Sequence, residues 1–182
     1  MTVWTIGHGT RRVDELIELL TAQGIGRLTD VRTIPRSRHN PQFNRDRLPD
    51  GLARAGIAYV HMPGLGGLRR PRSDSVNLAW RNSGFRGYAD YMQTEAFQAN
   101  LDVLVRQAAG ARTAIMCAET VPWRCHRSLL ADALTVNGVA VLHIITAGHT
   151  QLHELTAGAR PCDALLTYPG GDRPGSLPLN CL

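Results

Sequence analysis

The residues from 116 to 127 hold the densest set of reactive side chains in this sequence. Two thiols, Cys117 and Cys125, stand eight positions apart, with Glu119 between them and His126 directly after. Thiolates act as nucleophiles and metal ligands, while imidazoles and carboxylates transfer protons near neutral pH. The segment therefore predicts thiol-dependent chemistry, with Cys117 as the candidate nucleophile and with Glu119 and His126 as candidate acid–base groups.

Each of these residues also has a structural interpretation. Cys117 could be a small buried filler of the core. Glu119 could hold Arg127 or Arg32 in place by an ion pair. His126 could stand at the start of the next helix without a catalytic part. The two cysteines could form a disulfide, which only the distance between their Cα atoms decides.

Hydrophobic patterns place this segment at a turn from a strand to a helix. The apolar run 113–116 is typical of a short buried strand, and residues 128–134 are typical of a helix. In open α/β sheets, ligands bind beyond the carboxyl ends of the strands. A thiol beside helix N-terminal amides and basic side chains is expected to have a lowered pKa, because both favour the thiolate. Cys125, near the start of the helix, is therefore a predicted ligand-binding residue.

Further polar residues follow the other predicted strands. Asp30 and Arg32 stand at alternate positions, so they could face one pocket or form a structural ion pair. His8 lies in a Gly-His-Gly turn, where a ligand could approach the backbone. Arg32 and Arg127 are the predicted anion-binding residues, because a guanidinium can give an oxyanion two hydrogen bonds. Ser37 belongs to a loop of basic, amide and aromatic residues that fits phosphate contact and base stacking, or an ordinary solvated loop.

The positive charge of the chain is concentrated in one segment. All 20 basic residues are arginine, and residues 27–86 contain 12 of them against four aspartates, a net charge of +8. The rest of the chain has 8 arginines against 11 acids, a net charge of −3. Biased genome composition explains the absence of lysine, but a basic segment also fits phosphates. The expected partner is an anionic or phosphate-containing small molecule, and a nucleic-acid-binding module is the alternative function.

A zinc site is a further alternative. Cys117, Cys125, His126 and His8 could supply tetrahedral ligands. However, seven residues separate the cysteines, where zinc knuckles have about two to four. Adjacent Cys and His side chains also diverge on a helix. No metal and no cofactor are therefore predicted, with zinc as a minor possibility.

Alternating strands and helices predict an α/β fold with a mainly parallel β-sheet flanked by helices, Rossmann-like or rhodanese-like in outline. One domain is expected over residues 1–156, followed by a loosely ordered Gly/Pro-rich tail over 157–182. Besides anion binding and nucleic-acid binding, the third interpretation of the function is a structural domain that carries out no catalysis. The predicted strands are 3–6, 27–32, 57–61, 113–116 and 139–145, and the predicted helices are 13–23, 48–55, 88–109 (with a break near 94) and 128–134.

The sequence also predicts the compartment. No apolar run reaches the roughly 20 residues that cross a bilayer, and the N-terminus lacks the pattern of a signal peptide. Four cysteines without such a signal favour reduced thiols in the cytoplasm, with no membrane partner. The P-loop pattern is absent, which argues against a nucleotidase of that class. No oligomeric state is predicted.

Several short motifs occur together in an order that resembles one family. They are Thr5-Ile6-Gly7-His8, Asp30-Val31-Arg32 with Pro35 and Ser37, Leu65-Gly66-Gly67, Tyr88 with Tyr91-Met92, Met116-Cys117-Ala118-Glu119, and Cys125-His126-Arg127. Over residues 3–146 the chain closely resembles the bacterial and archaeal family catalogued as domain of unknown function 488. The resemblance implies a small α/β domain in which the motif residues form a shared site, and it implies no activity. Gly9 departs from the small hydroxyl residue that commonly follows the histidine.

A weaker similarity is to rhodanese-like sulfurtransferases. These enzymes pair an Asp-Val-Arg strand end with a later cysteine at a strand-to-helix loop, as residues 30–32 and Cys117 do in outline. The loop after Cys117 departs from that pattern, because Glu119 and Pro122 stand where the enzymes have a tight run of amides. The similarity therefore bears on the fold and not on the chemistry.

Overall fold

The computed structural model of the chain describes residues 1–162 and 165–171. Its strands are β1 Thr2–Gly7, β2 Arg27–Asp30, β3 Ala58–His61, β4 Thr113–Cys117, β5 Ala140–Thr146, β6 His149–Leu152, β7 Arg160–Cys162 and β8 Leu165–Thr167. Its α-helices are α1 Val13–Ala22, α2 Leu48–Arg54, α3 Ser83–Met92, α4 Glu95–Gly110 and α5 Arg127–Val136. Short 3₁₀ turns occur at Pro41–Phe43, Pro63–Leu65 and Pro122–Arg124.

A six-stranded sheet with the order β3-β2-β4-β1-β5-β6 forms the centre of the domain. All its neighbouring strands pair in parallel except β5 and β6, which are antiparallel. The predicted α/β fold with a mainly parallel sheet flanked by helices is confirmed. No helix among the described residues is both long and apolar enough to cross a membrane.

Helices cover both faces of the sheet, because successive strand residues point to opposite sides. On one face, Val3 and Ile115 pack with α3, α4 and α5. On the other face, Trp4 and Met116 pack with α1 and α2. Every residue of β4 is buried, as expected for a central parallel strand covered on both sides. Cys117, the last residue of β4, is therefore held rigidly at the carboxyl edge of the sheet.

The register brings three strand ends together at this edge. Gly7 of β1 stands beside Cys117 of β4, and Asp30 of β2 stands beside Met116. The backbone continues this pairing past the strands, because the His8 N–H donates to the Cys117 carbonyl at 3.0 Å. The residues that follow β1, β2 and β4 consequently lie side by side.

The predicted long helix is two helices, and the expected break near residue 94 is confirmed. Thr94 precedes α4, and its hydroxyl accepts a hydrogen bond from the Phe97 N–H at 3.3 Å. A hydroxyl that caps the second helix satisfies one of its free N–H groups and favours a new start at this point. The break lets α3 turn its first residues toward the carboxyl edge of the sheet.

Part of the segment predicted to be a loose tail packs against the domain. β7 and β8 form an antiparallel hairpin, and Tyr168 is fully buried. The Tyr168 hydroxyl donates to Asp132 on α5 at 2.7 Å, and Asp132 also accepts from His153 at 2.9 Å. The expectation of loose order is therefore wrong for residues 160–162 and 165–168, while 163–164 and 172–182 lie outside the described residues. The division of the chain at residue 156 stays a prediction.

Candidate functional site

A cleft of about 330 Å³ lies at the carboxyl edge of the sheet. Four segments form its walls. They are the loop after β2, the loop of residues 64–68 after β3 (the glycine loop), the start of α3, and the turn from β4 to α5. The residues that line it are Arg32, Thr33, Ile34, Gly67, Leu68, Asn82, Gly84, Phe85, Cys117, Ala118, Glu119, Arg124, Cys125 and His126. Its position agrees with the general location of ligand sites in open α/β sheets.

Two thiols and an imidazole converge in the wall of this cleft. The Cys117 sulfur, the Cys125 sulfur and the ligand nitrogen of His126 all lie within 4.8 Å of one another. His126 Nδ1 is 3.9 Å from the Cys117 sulfur and 3.7 Å from the Cys125 sulfur. We refer to these three residues as the thiol cluster. Its donors are of the kind that hold a borderline-soft metal ion such as zinc.

The expectation that adjacent Cys and His side chains diverge is wrong here, because neither residue lies within the helix. Cys125 has an extended backbone, with φ −133° and ψ 146°, and His126 is the residue before α5. The Cys125 N–H donates to the Pro122 carbonyl at 3.0 Å, which closes the 3₁₀ turn. This turn brings Cys125 back toward Cys117.

The two thiols have opposite pKa shifts. Both are buried and free of a disulfide. The hydrogen bond from the Cys117 thiol lowers the pKa of Cys125, and His126 and Arg127 lower it further. The same hydrogen bond, together with burial, raises the pKa of Cys117. These directions favour the thiolate of Cys125, while the assignment of Cys117 as the reactive thiol stays a prediction.

Arg32 lines the cleft, and hydrogen bonds to three other residues hold its guanidinium in place. Its Nε donates to Asp30 Oδ1 at 2.9 Å, and its Nη2 donates to Asp30 Oδ2 at 2.6 Å and to the Phe43 carbonyl at 2.7 Å. The Arg32 backbone N–H also donates to Asp30, at 3.0 Å, so the chain turns where the sequence predicted a longer strand. Asp30 is fully buried and acts as the anchor of Arg32 rather than as a wall of the cleft.

His8 also supports Arg32 from behind. Burial lowers the pKa of His8 from its ordinary 6.5 to about 4, so the ring is neutral at pH 7. An arginine can only donate, so His8 Nε2 accepts from Arg32 Nη1 at 3.1 Å and Nδ1–H donates to the Gly9 carbonyl at 2.8 Å. The ring stacks on Phe43 with centroids 4.2 Å apart. His8 is therefore placed to position Arg32 rather than to contact a ligand.

Arg127 does not line the cleft, contrary to its predicted anion-binding role. It is 1% exposed, and its Nη2 donates to the backbone carbonyls of Glu119 and Thr120. This contact differs from the predicted ion pair, because it uses the Glu119 carbonyl and not the carboxylate. Arg127 thereby fixes the loop between the two cysteines. The Glu119 side chain is exposed at the cleft, and within the described residues it forms no ion pair.

Ser37 likewise stands away from the cleft. Its hydroxyl accepts from the Asn40 N–H at 3.1 Å, and its own N–H donates to the Asn44 side chain at 2.7 Å. These bonds organise the loop after β2. Of the nine residues predicted for the site, the cleft is lined by Cys117, Glu119, Cys125, His126 and Arg32, while the other four lie behind it or beside it.

Arg124 and Gly67 line the cleft but were not among the nine predicted residues, although the resemblance had placed the Leu65-Gly66-Gly67 motif in the shared site. Arg124 is exposed and lines the cleft next to Cys125. Gly67 packs directly against His126, because a Cβ at this position would be 2.6 Å from His126 Nδ1. Arg69 holds the glycine loop by donating to the Gly66 and Gly64 carbonyls, each at 3.1 Å. The Gly66-Gly67 pair was the only sequence signal for this close approach.

The profile of the family described as Domain of unknown function DUF488 matches residues 12–134. This segment is about two thirds of the chain and contains every residue that lines the cleft. The chain belongs to the DUF488 family. The membership expected from the motifs is confirmed, although the matched segment is shorter than the expected 3–146 and leaves out His8. No curated protein and no solved structure matches the chain.

Proposed function

We propose that this DUF488 protein binds an anionic ligand in the cleft and that the thiol cluster provides thiol-dependent chemistry there. One observation carries the proposal: both sulfurs and His126 Nδ1 converge within 4.8 Å in the wall of a cleft that Arg32 and Arg124 also line. A pocket that combines cations with nucleophilic side chains is suited to an anion that reacts.

Arg32 supports the anion-binding part of the proposal through its hydrogen bonds. A guanidinium has five N–H donors, and four of those of Arg32 are engaged by Asp30, Phe43 and His8. The fifth, on Nη1, has no partner among residues 1–162 and 165–171 and is available to a ligand. The guanidinium is already ordered, so binding to it costs little further side-chain entropy. Arg124 adds a second positive charge at the open side.

The chemistry follows from the cluster. A Cys125 thiolate beside His126 could attack an electrophile or bind a metal, and Glu119 and His126 would then move protons. A reducing, cytoplasmic setting is part of this proposal, because it keeps two neighbouring thiols from oxidation.

Inorganic phosphate should protect the cysteines of the metal-free, reduced protein from iodoacetamide. With phosphate at roughly ten times its dissociation constant, alkylation of Cys117 and Cys125 should slow by about tenfold. Arg124→Gln should weaken this protection, because it removes a charge from the cleft. Arg106→Gln should leave it unchanged, because Arg106 is exposed on α4 away from the cleft. Peptide mass spectrometry measures each rate. Phosphate-independent rates would favour a domain whose polar cluster is only structural.

Nucleic acid is the second candidate partner, supported by the loop after β2. Its four arginines, Arg36, Arg38, Arg45 and Arg47, are exposed. None of them takes part in an ion pair within the described residues. Unpaired guanidinium groups on one loop are available for phosphates.

A labelled single-stranded oligonucleotide tests this second candidate. Its association constant should fall steeply with salt, and Arg45→Gln/Arg47→Gln should reduce the slope of log K against log salt by up to about 1.4, since each phosphate contact contributes about 0.7. Fluorescence anisotropy over a salt series gives the slope, with Arg106→Gln as the matched control. Absence of binding at low ionic strength would remove nucleic acid from consideration.

A further inference from the structure

The distances within the thiol cluster are close to those of a metal centre. A tetrahedral zinc ion with sulfur at about 2.3 Å and nitrogen at about 2.0–2.1 Å separates the two donors by about 3.6 Å. The observed separations of His126 Nδ1 from the sulfurs are 3.7 Å for Cys125 and 3.9 Å for Cys117. Contractions of at most a few tenths of an ångström would therefore bring the nitrogen to zinc-centre separations from both sulfurs, and the sulfurs themselves lie within 4.8 Å of each other.

The surroundings hold the three donors in place. Gly67 closes one side of the His126 ring, and Tyr88 packs on it with centroids 4.9 Å apart. The Cys125 carbonyl accepts from the Ser128 N–H and hydroxyl, each at 3.0 Å. Cys117 is fixed at the end of a buried strand. Donors that are ordered before the metal arrives lose little conformational entropy when they bind it.

All three donor residues line the cleft, so a metal ion held by them would face it. Structural zinc sites are usually closed by four protein ligands, whereas catalytic sites keep three and leave the fourth position to water or substrate. The cluster supplies three, and Arg32 and Arg124 line the same cleft. One oxygen atom of an anionic ligand could therefore occupy the fourth position, while Arg32 and Arg124 contact the other oxygen atoms of that ligand.

We propose that Cys117, Cys125 and His126 hold a zinc ion whose fourth coordination position opens on the cleft. The inference rests on the proposed function, because it names the cofactor through which the same thiols would act on the same anion. The two cysteinates balance the charge of the zinc ion, so the positive charge that attracts the anion comes from the arginines, and the open position only coordinates one of its oxygen atoms.

Glu119 is the acidic side chain of this cleft among the described residues that line it. A zinc ion lowers the pKa of its bound water toward about 7. A zinc ion held by the thiol cluster would supply an acidic bound water, and the Glu119 carboxylate, which lines the same cleft, would be the base that takes its proton. No oxidant or reductant is needed. The class of chemistry is metal-assisted addition of water to an anionic substrate.

Zinc stoichiometry tests the centre directly. The protein is incubated with Zn²⁺ under reducing conditions and desalted. Its zinc content is then measured by inductively coupled plasma mass spectrometry. We expect one zinc per chain in the wild type and in His149→Asn, which removes an exposed imidazole outside the cleft. Cys117→Ser, Cys125→Ser and His126→Asn should each retain much less, while Glu119→Gln should retain one. Wild-type protein without zinc, or equal retention by the three ligand variants, would overturn the inference.

Cobalt tests the open position and does not depend on a known substrate. Co²⁺ in place of zinc should give the visible absorption of a tetrahedral ion and thiolate-to-metal charge transfer in the near ultraviolet. Adding inorganic phosphate should shift the visible bands, and an unchanged spectrum would contradict an open position. If metal binding fails while phosphate still protects the cysteines from alkylation, the zinc inference fails and the anion-binding proposal stands. If metal binds but phosphate has neither effect, the anion-binding proposal fails.

Discussion

Replacing Asp30 with alanine should lower the free energy of unfolding by about 3–5 kcal/mol, because it leaves the Arg32 guanidinium buried without its counter-charge. Arg32 is 7% exposed and Asp30 is fully buried. Asp30 also accepts from the Tyr59 hydroxyl at 2.7 Å, so four hydrogen bonds are lost with the carboxylate, three from side chains and one from the Arg32 backbone N–H. Domains of this kind are stable by only about 5–15 kcal/mol, so the effect is large.

A double-mutant cycle separates the ion pair from simple loss of packing. Asp30→Ala/Arg32→Met removes both charges, and its cost should be clearly smaller than the sum of the two single changes. Asp30→Asn keeps the size of the side chain and gives a variant for measurement if the alanine variant does not fold. Urea unfolding followed by circular dichroism gives each free energy. A cost below about 1 kcal/mol for Asp30→Ala would contradict the buried pair.

Gly67→Ala should displace His126 from the two sulfurs while leaving the fold in place. The added Cβ would be 2.6 Å from His126 Nδ1 and 2.8 Å from Cγ, which no side-chain atom tolerates. Overpacking of this kind costs about 1–3 kcal/mol of stability. Zinc affinity should fall by roughly 10–100-fold, the range seen when the support of a metal ligand is disturbed. Competition with a chromophoric chelator measures the affinity.

Gly110→Ala is the matched control for this substitution. A Cβ on Gly110, at the end of α4, meets nothing within 4 Å, so stability and zinc affinity should be unchanged or slightly higher. Equal zinc affinity in the two alanine variants would show that His126 does not depend on the glycine loop.

Five of the six strands of the sheet could be predicted because their signal is local, whereas the antiparallel edge strand β6 was not predicted. The apolar run that became β4 is buried on both faces, and Thr94 ends one helix and caps the next, so pattern and capping pointed to the same elements. The convergence of strand ends at one edge follows from parallel pairing. This is why the segment from Cys117 to His126 could be expected to form a site before any distance was known.

The directions of individual side chains could not be predicted, because they depend on the path of loops. Arg127 turns to the Glu119 carbonyl since the 3₁₀ turn at Pro122–Arg124 carries that loop over it. The same turn leaves Cys125 with an extended backbone just before the helix, which removes the sequence-based objection to a metal site. Tyr168 was assigned to a loose tail because its partner, Asp132, is 36 positions away. Contacts over such distances leave no periodic signal.

The central claim is that the thiol cluster and the anion-binding cleft form one site. The most direct test is the alkylation rate of Cys125 in reduced, metal-free protein, measured with and without saturating inorganic phosphate and resolved by peptide. We predict that Cys125 reacts faster than Cys117 without phosphate and that phosphate slows both thiols. Equal rates with and without phosphate would contradict the account, because an anion seated between Arg32 and Arg124 must block access to the sulfurs.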